Sequence, residues 1–366
     1  MVKESAYDKP FLTYKEQIQL LRSRGLRIDN DAFAIHALST LSYYDIINRY
    51  KKIFMSDDDR FTEPISIEYL YDFRLLDLAF QSVIIKYSVI VENIFKTRFA
   101  YVLSEKCGVD KNGYLDKKYF RQKKGNLCYD NVAFEIDQYI NKRRPMPTEY
   151  YKTSHNHIPA WILFKNVSFS NTINLYKLLL RDLQNEVSES LIPNDLPREQ
   201  KIELISTTLN AIRLLRNVAA HNLHFTSFEL TKKQSLSHNF LYKVVGSPLL
   251  SSSRSSSNAA SVQGVYGVIL SILCYLQIPY LQAAFVEEFI VFLVQINDIS
   301  PEKKRETFSK YIQAIGVPQD ILFRFNDHLK KLDIKPQIFI SNFNFSTSLL
   351  KQKNARHRAT NTMTGK

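Results

Sequence analysis

The chain contains few of the residues that interrupt helices or build disulfide frameworks. Its 366 residues include only 9 Gly, 12 Pro and 3 Cys. Scarce Gly and Pro favour a mainly helical protein, because helix interiors tolerate these two residues least. Cys107, Cys128 and Cys274 make an odd number and share no short spacing, which argues against a disulfide scaffold and a cysteine-based zinc site. We therefore predict a globular all-α protein in a reducing, cytoplasmic environment.

A secretory signal and an uninterrupted membrane span are also missing from the sequence pattern. The first eight residues carry acids and no apolar run, unlike a signal peptide. The most apolar stretch, 265–296, is interrupted by Gln277, Pro279, Gln282, Glu287 and Glu288. We predict a buried helical hairpin that bends at Pro279, with no membrane partner; a membrane-acting effector is the alternative interpretation of this stretch.

Positive charge is abundant. The chain has 49 Lys and Arg against 36 Asp and Glu, a formal net charge of +13, which favours a polyanionic partner such as RNA over a soluble surface that is basic by chance. Residues 117–144 contain eight basic and three acidic residues with interleaved aromatics. This segment predicts RNA contacts, with a merely solvated basic face as the alternative. The residues chosen from it are Lys117, Lys118, Arg121, Lys123, Lys124, Arg143 and Arg144.

Apolar periodicity divides the rest of the chain into helices. It predicts helices over 14–24, 31–52, 65–105, 157–181, 199–220, 301–315 and 319–332, with 65–105 as one long helix or two nearly collinear ones. The expected organisation is an N-terminal helical segment (1–60), a helical core (61–235), a flexible serine-rich loop (236–262), C-terminal helices packing on the core (263–345) and a basic tail (346–366).

One basic residue breaks an apolar pattern. Ile202, Ile205, Leu209 and Ile212 are spaced at three, four and three residues, and the same rhythm continues to Arg216. A guanidinium at a helix interface needs an anion, a carbonyl cluster or a wet cleft, because it cannot lose its proton. Either Arg216 is a structural residue paired with a carboxylate, or it serves a functional site.

The residues after Arg216 suit RNA chemistry. An imidazole at His221 could exchange a proton with a ribose 2′-hydroxyl, and the guanidinium of Arg216 could stabilise charge on the adjacent phosphate without metal or cofactor. The alternative is a histidine that caps a helix end. Five residues of ideal helix leave the two side chains about 140° apart. Either the helix ends or distorts between Asn217 and His221, or two copies of the protein share the site.

Several segments together resemble a known family. Arg216-Asn217-x3-His221 resembles the R-x4-6-H motif of the HEPN superfamily of helical ribonucleases. The pattern is similar to that of bacterial Abi-like proteins of the AbiD/AbiF abortive-infection group over residues 9–225. The segments that carry this resemblance are Lys9-Pro10-Phe11-Leu12-Thr13, Tyr43-Tyr44, Val91-Glu92-Asn93-Ile94, Pro159-x-Trp161 and Arg216-Asn217-x-x-Ala220-His221-Asn222.

The resemblance implies a HEPN-type helical bundle with added N-terminal and C-terminal helices, acting as a metal-independent RNase in phage defence. It implies a homodimer and RNA as the partner, including a noncoding RNA that could restrain a toxin. Arg216 would bind the phosphate, His221 would act as general base or acid, and Asn217 would position them. Glu92 and Arg98 would form structural ion pairs or contact RNA. A non-catalytic RNA-binding defence protein is the alternative function.

Other candidate sites are weaker. His155 and His157 precede Pro159 in a predicted loop, where a zinc or catalytic pair competes with a plain polar turn. His224 is three residues from His221 and is either an auxiliary acid or a capping residue. The sequence contains no P-loop, no G-x-G-x-x-G and no H-E-x-x-H pattern. We therefore predict no cofactor and no metal.

Overall fold

The computed structural model describes residues 9–252, 261–294 and 301–334, which form helices joined by short loops. A small antiparallel hairpin pairs β1 (Lys123–Lys124) with β2 (Leu127–Cys128). The α-helices are α1 (Tyr14–Ser23), α2 (Asp31–Ile46), α3 (Lys51–Phe54), α4 (Ile67–Cys107), α5 (Lys111–Tyr114), α6 (Tyr129–Asn141), α7 (Thr148–Ser154), α8 (Ala160–Asn166), α9 (Phe169–Leu178), α10 (Arg181–Leu191), α11 (Arg198–Ala220), α12 (His238–Val245), α13 (Val265–Tyr275), α14 (Pro279–Val294), α15 (Pro301–Ala314) and α16 (Ile321–Lys331).

Helix α4 is the centre of the bundle. Its first turn is capped by the Ser66 hydroxyl, which accepts a hydrogen bond from the Tyr69 N–H at 3.3 Å, and it ends at Gly108 with φ 92°. Phe80, Phe95 and Phe99 are among the apolar residues of α4 that are fully buried. Helices α2, α8, α10, α11, α13 and α14 all pack against it. Buried residues from α1 through α16 form one hydrophobic cluster.

Helix α11 carries the predicted apolar stripe and lies between α4 and α13. Ile202, Ile205, Leu209 and Ile212 are all buried, with no more than 2% of each exposed. Their burial confirms the predicted apolar seam. Arg216 is the next position in the same spacing, and it lies at the edge of this packed interface rather than inside it. Helix α9 packs on another side of α11 and brings the β1–β2 hairpin with it.

Several elements agree with the sequence predictions. An all-α fold is confirmed. Helix α1 has a capping box between Thr13 and Glu16 and stops before Gly25, whose φ is 93°. Of the two forms predicted over 65–105, one long helix or two nearly collinear ones, the structure has the single long helix α4. Pro279 begins α14 as expected, but the predicted hairpin is wrong, because α13 packs on α4, α11 and α12 whereas α14 packs on α4 and α16.

Other elements differ from those predictions. The helix predicted over 31–52 is bent at Ser42 (φ 66°, ψ 154°) and is followed by a 3₁₀ turn, Asn48–Tyr50, and by α3. The helix predicted over 157–181 is divided, because Val167 is extended and the Ser168 hydroxyl caps a new helix. Residues 236–262, predicted as a loop, contain α12, which is capped by Ser237. The serine-rich positions 253–260 and the basic tail lie outside the described residues.

No helix in the described ranges combines the length and the apolar character that crossing a membrane requires.

Candidate functional site

The carboxyl end of α11 carries the Arg216-Asn217-x3-His221 motif. His221 is the C-cap, and its N–H still donates to the carbonyl of Asn217 at 3.0 Å, as in a regular helix. The chain then reverses at Asn222, whose φ is 53°. The Asn222 N–H donates to the Ala219 carbonyl and the Leu223 N–H to the Val218 carbonyl, which together form a Schellman cap.

The motif is accessible to solvent. The His221 side chain is exposed, and no described residue forms a side-chain hydrogen bond or ion pair with it. Because the helix stays regular as far as Ala220, Arg216 and His221 leave it in different directions, about 140° apart by ideal geometry. The first geometric condition was that the helix ends or distorts between Asn217 and His221. The helix does end there, at Ala220, but without a distortion that would bring the two side chains together.

Arg216 points towards α4. One guanidinium nitrogen donates to the Asn217 side-chain oxygen at 3.1 Å, and another lies 3.8 Å from the Glu92 carboxylate. The Arg216 side chain keeps 35% of its surface exposed, against 16% for Glu92. The other oxygen of Glu92 is only 2.6 Å from the Lys96 ammonium, so Lys96 is the closer partner of this carboxylate. Arg216 is thus loosely paired and remains available to a phosphate.

A buried polar network lies beneath the turn that follows the motif. Arg49 is fully buried, binds the Asp45 carboxylate, and donates to the backbone carbonyls of Asn222 and Leu223. Arg74, from α4, donates to the Asn222 side-chain oxygen. The Asn222 amide nitrogen donates to Asp45 at 3.2 Å. These bonds fix the residue directly after His221 to two other parts of the fold.

Asp77 completes this network from below. Its carboxylate is fully buried and accepts hydrogen bonds from Arg74 at 2.7 Å, Tyr50 at 2.8 Å and Tyr311 at 2.9 Å. Burial, with the nearby Asp77 carboxylate, raises the pKa of Tyr50 and of Tyr311 well above the usual value of 10. Both phenols therefore stay protonated donors to this carboxylate.

His224 faces the same network and differs from His221. It is half-buried, and its ring packs edge-to-face on Tyr44 with centroids 5.2 Å apart. Burial, with the positive charge of Arg49, lowers its pKa below 6.5. A neutral imidazole at physiological pH suits a packing role better than that of an auxiliary acid.

Most cations predicted from segment 117–144 have local carboxylate partners. Lys117 lies 2.7 Å from Asp130 and Lys118 lies 3.2 Å from Asp116. Arg143 is 3.6 Å from Glu135 and also lies over the Tyr139 ring, and Arg144 is 3.9 Å from Glu149. Lys123 is exposed on the hairpin with no carboxylate partner in the described residues. The exposed ion pairs leave these cations accessible, but partly neutralised.

Arg98 and Arg121 are placed differently from the RNA-contact prediction. Arg98 donates to the Ser190 carbonyl and to the Gln277 side-chain oxygen. Arg121 donates to the carbonyls of Lys177 and Leu179 at 2.7 and 3.1 Å. Burial lowers the pKa of both guanidinium groups. These two arginines tie helix ends together, because the terminal carbonyls of a helix lack partners within it.

The structure adds residues that the sequence analysis missed. Arg49, Arg74 and Asn222 support the motif, and only Asn222 had a local signal, since Asn after an apolar helix is typical of a C′ position. Lys177 and Arg213 form a second positive region beside α11, although nothing in their neighbouring sequence marks them. Long-range packing alone brings these groups together.

The described residues contain no group of three or more His, Cys, Asp and Glu side chains placed to hold a metal ion. In the predicted loop before Pro159, His157 bonds the Asn156 side chain at 2.7 Å, and His155 packs against Tyr151. These contacts are those of a polar turn.

The fold and the site define an all-α protein with a solvent-facing Arg-Asn-x3-His motif at a helix end. Residues 36–226, just over half of the chain, match the family described as Abi-like protein, and the chain belongs to that family. Membership suggests a role in abortive infection, a form of phage defence. No curated protein and no solved structure matches the chain.

Proposed function

We propose that this Abi-like protein is a metal-independent endoribonuclease that acts as an abortive-infection toxin. The observation that supports the proposal is the accessibility of an imidazole and a guanidinium at one helix end, His221 exposed and Arg216 only loosely paired. A noncoding RNA is the proposed antitoxin.

The chemistry follows from these two groups. The His221 imidazole removes the proton from a ribose 2′-hydroxyl, and the 2′-oxygen forms a bond to the adjacent phosphorus. The guanidinium of Arg216 binds the nonbridging oxygens, where negative charge increases in the transition state. The bond from phosphorus to the 5′-oxygen breaks, and that oxygen takes up a proton. The products are a 2′,3′-cyclic phosphate and a 5′-hydroxyl end.

The proposed working form is a homodimer. Because α11 is regular through the motif, the two side chains diverge in one copy, whereas a two-fold axis would bring Arg216 of one copy towards His221 of the other. Leu223 and Tyr44 are apolar side chains near the motif that are about half exposed, at 54% and 50%. They are suited to a contact between copies. Asn217, which already binds the guanidinium, would set its orientation.

The test compares purified wild type with His221→Ala on several RNAs in the presence of EDTA. We expect the variant to lose about a hundredfold or more in cleavage rate, the typical contribution of a general base. Arg216→Lys should also lose activity, because an ammonium does not reproduce the guanidinium fork. Mass spectrometry of the fragments should find cyclic phosphate ends in the wild-type reaction and few or none with His221→Ala.

The matched control is His155→Ala, which removes another exposed histidine far along the chain. It should cut as fast as wild type. Equal cutting by wild type and His221→Ala, or no cutting by a wild-type dimer, would contradict the enzyme proposal.

The second candidate is a non-catalytic RNA-binding defence protein. The ion pair between Arg216 and Glu92 favours it, because a paired guanidinium can serve the fold and contact RNA without chemistry. Under this alternative, RNA binding is steeply salt-dependent and no cyclic phosphate is formed.

A further inference from the structure

A cavity of about 640 Å³ opens beside α9 and the hairpin. We call it the basic groove. Three separate elements line it: the β1–β2 hairpin, α9, and the 3₁₀ turn Lys232–Gln234. Its lining residues are Lys124, Asn126, Leu127, Asn174, Lys177 and Lys233. Three ammonium groups and two amides therefore face one cavity whose lining includes no carboxylate.

The three lysines of the basic groove have no carboxylate within ion-pair distance in the described residues, unlike Lys117, Lys118, Arg143 and Arg144. Lys177 is half-buried, and neither it nor Arg213 has a carboxylate partner among the described residues. Burial, together with the charges of Lys124 and Arg213, lowers the pKa of Lys177. The nearby acid Glu199 is 3.0 Å from Arg181 and so is already paired. Unpaired positive charge that is partly withdrawn from water is stabilised by an anion.

One polar face of α11 runs from the elements that line the basic groove towards the motif. Asn210, Arg213 and Asn217 are spaced at three and four residues and so share one face of the helix, with Arg213 donating to Asn210 at 2.9 Å. Helix α11 packs against both α9 and the 3₁₀ turn Lys232–Gln234, two of the three elements that line the groove. Along the helix axis, Arg213 lies about 12 Å before His221, at 1.5 Å per residue. A chain of polar side chains therefore leads from the groove to the motif.

These features fit an extended polyanion better than a single phosphate. The cavity is larger than one phosphate group needs, and its charges come from three elements rather than converging on one point. Amide groups such as those of Asn126 and Asn174 both donate and accept hydrogen bonds, as the sugar and base groups of a nucleic acid require. An acidic protein segment would be bound by the charges but would not need the connection to the motif.

We infer that the basic groove binds the phosphate backbone of a single RNA strand and directs that strand along α11 to Arg216 and His221. The inference rests on the proposed function and adds where the substrate binds.

The experiment measures binding of a fluorescent 2′-O-methyl oligouridylate, which cannot be cut because it lacks the attacking hydroxyl. The test variant Lys124→Gln/Lys233→Gln changes two exposed groove lysines, and Lys177→Gln is the second variant. The matched control, Lys330→Gln/Lys331→Gln, removes the same charge from α16, which does not line the groove. Circular dichroism and thermal unfolding check that each variant is folded.

We expect the exposed double variant to bind about tenfold more weakly, and its slope of log affinity against log salt to fall by about 1.4, since each lost contact removes ~0.7. The control should remain within about twofold of wild type. An equal loss in the control, or equally tight groove binding of polyglutamate, would overturn the inference.

Cleavage assays separate this inference from the proposed function. If the groove variants cut RNA normally at low RNA concentration and bind it with unchanged affinity, the inferred role of the groove is wrong and the proposed ribonuclease activity stands. If the wild-type protein cuts no RNA but binds it in a way that depends on the groove lysines, the proposed ribonuclease activity is wrong and the inferred role of the groove stands.

Discussion

Two groups of cations in this molecule differ in whether the fold places a carboxylate beside them. Arg49 and Arg74 are buried beneath the end of α11, where the carboxylates of Asp45 and Asp77 bind them. Lys177 lies beside the basic groove with no carboxylate partner in the described ranges. A buried cation with a partner stabilises the fold, because removing that partner leaves an uncompensated charge. A cation without one is available to an anion from outside. The predictions below test this difference.

The largest effect is expected for the buried cations that have carboxylate partners. Asp77→Ala removes the acceptor of Arg74, Tyr50 and Tyr311 and leaves the guanidinium buried without its carboxylate. We expect the free energy of unfolding in urea to fall by about 3–5 kcal/mol. The control Asp130→Asn breaks the exposed pair with Lys117 and should cost less than ~1 kcal/mol. Similar losses in both variants would mean that burial does not distinguish these pairs.

The second largest effect is expected for the cations of the basic groove, which have no carboxylate partner in the described residues. Lys177→Glu places a carboxylate near Lys124 and Arg213. Affinity for 2′-O-methyl RNA should fall about a hundredfold, or ~2.8 kcal/mol at 1.4 kcal/mol per tenfold. The free energy of unfolding should rise by up to about 1 kcal/mol, because repulsion between like charges is replaced by attraction. Lower stability together with unchanged affinity would show that Lys177 serves the fold instead.

A smaller effect is expected at Asn222, which connects the paired buried cations to the motif. Asn222→Gly keeps the positive φ that the turn requires, but removes the side chain bound by Arg74 and Asp45. Unfolding should become easier by about 1–3 kcal/mol, because buried donors lose their partners. Cleavage should weaken, since the support of His221 is lost, while groove binding stays unchanged. The exposed-loop variant Asn156→Gly should alter neither cleavage nor binding.

The smallest effect is expected on the exposed pairs of segment 117–144. Lys117→Gln/Lys118→Gln removes two lysines that already have Asp130 and Asp116 as partners. RNA affinity, measured by fluorescence anisotropy, should change less than about twofold, because exposed pairs contribute ~1 kcal/mol or less. A loss as large as that of the groove double variant would place the RNA on the surface that the sequence pattern selected.

The sequence predicted elements whose signals are local. Gly25 ends α1 because its φ of 93° suits glycine, and the apolar rhythm from Ile202 to Ile212 predicts the buried face of α11. The predicted helix boundaries were wrong where a break between two helices depends on contacts with distant parts of the chain. The chain between α9 and α10 is extended because the Leu180 N–H bonds the Tyr119 carbonyl at 2.9 Å, a partner that periodicity cannot reveal.

For the same reason, the sequence located the motif but not the contacts that surround it. The spacing of Arg216, Asn217 and His221 drew attention to the motif, but the partners of Arg216 and the exposure of His221 come from the packing of α11 on α4. The charge of segment 117–144 was visible, whereas Arg121 turned inward to the carbonyls of Lys177 and Leu179. A count of charges does not show which of them have partners.

The sequence by itself determined the helical class, the ends of several helices and the position of the motif, because caps, glycine turns and apolar spacing act over a few residues. Tertiary structure alone decided which cations are neutralised. Arg74 reaches Asn222 across 148 positions of the chain, and the groove lysines come from three separate elements. Desolvation and Coulomb interactions depend on distance in space, so only the folded chain separates charge that is paired within the fold from charge that is left without a carboxylate partner.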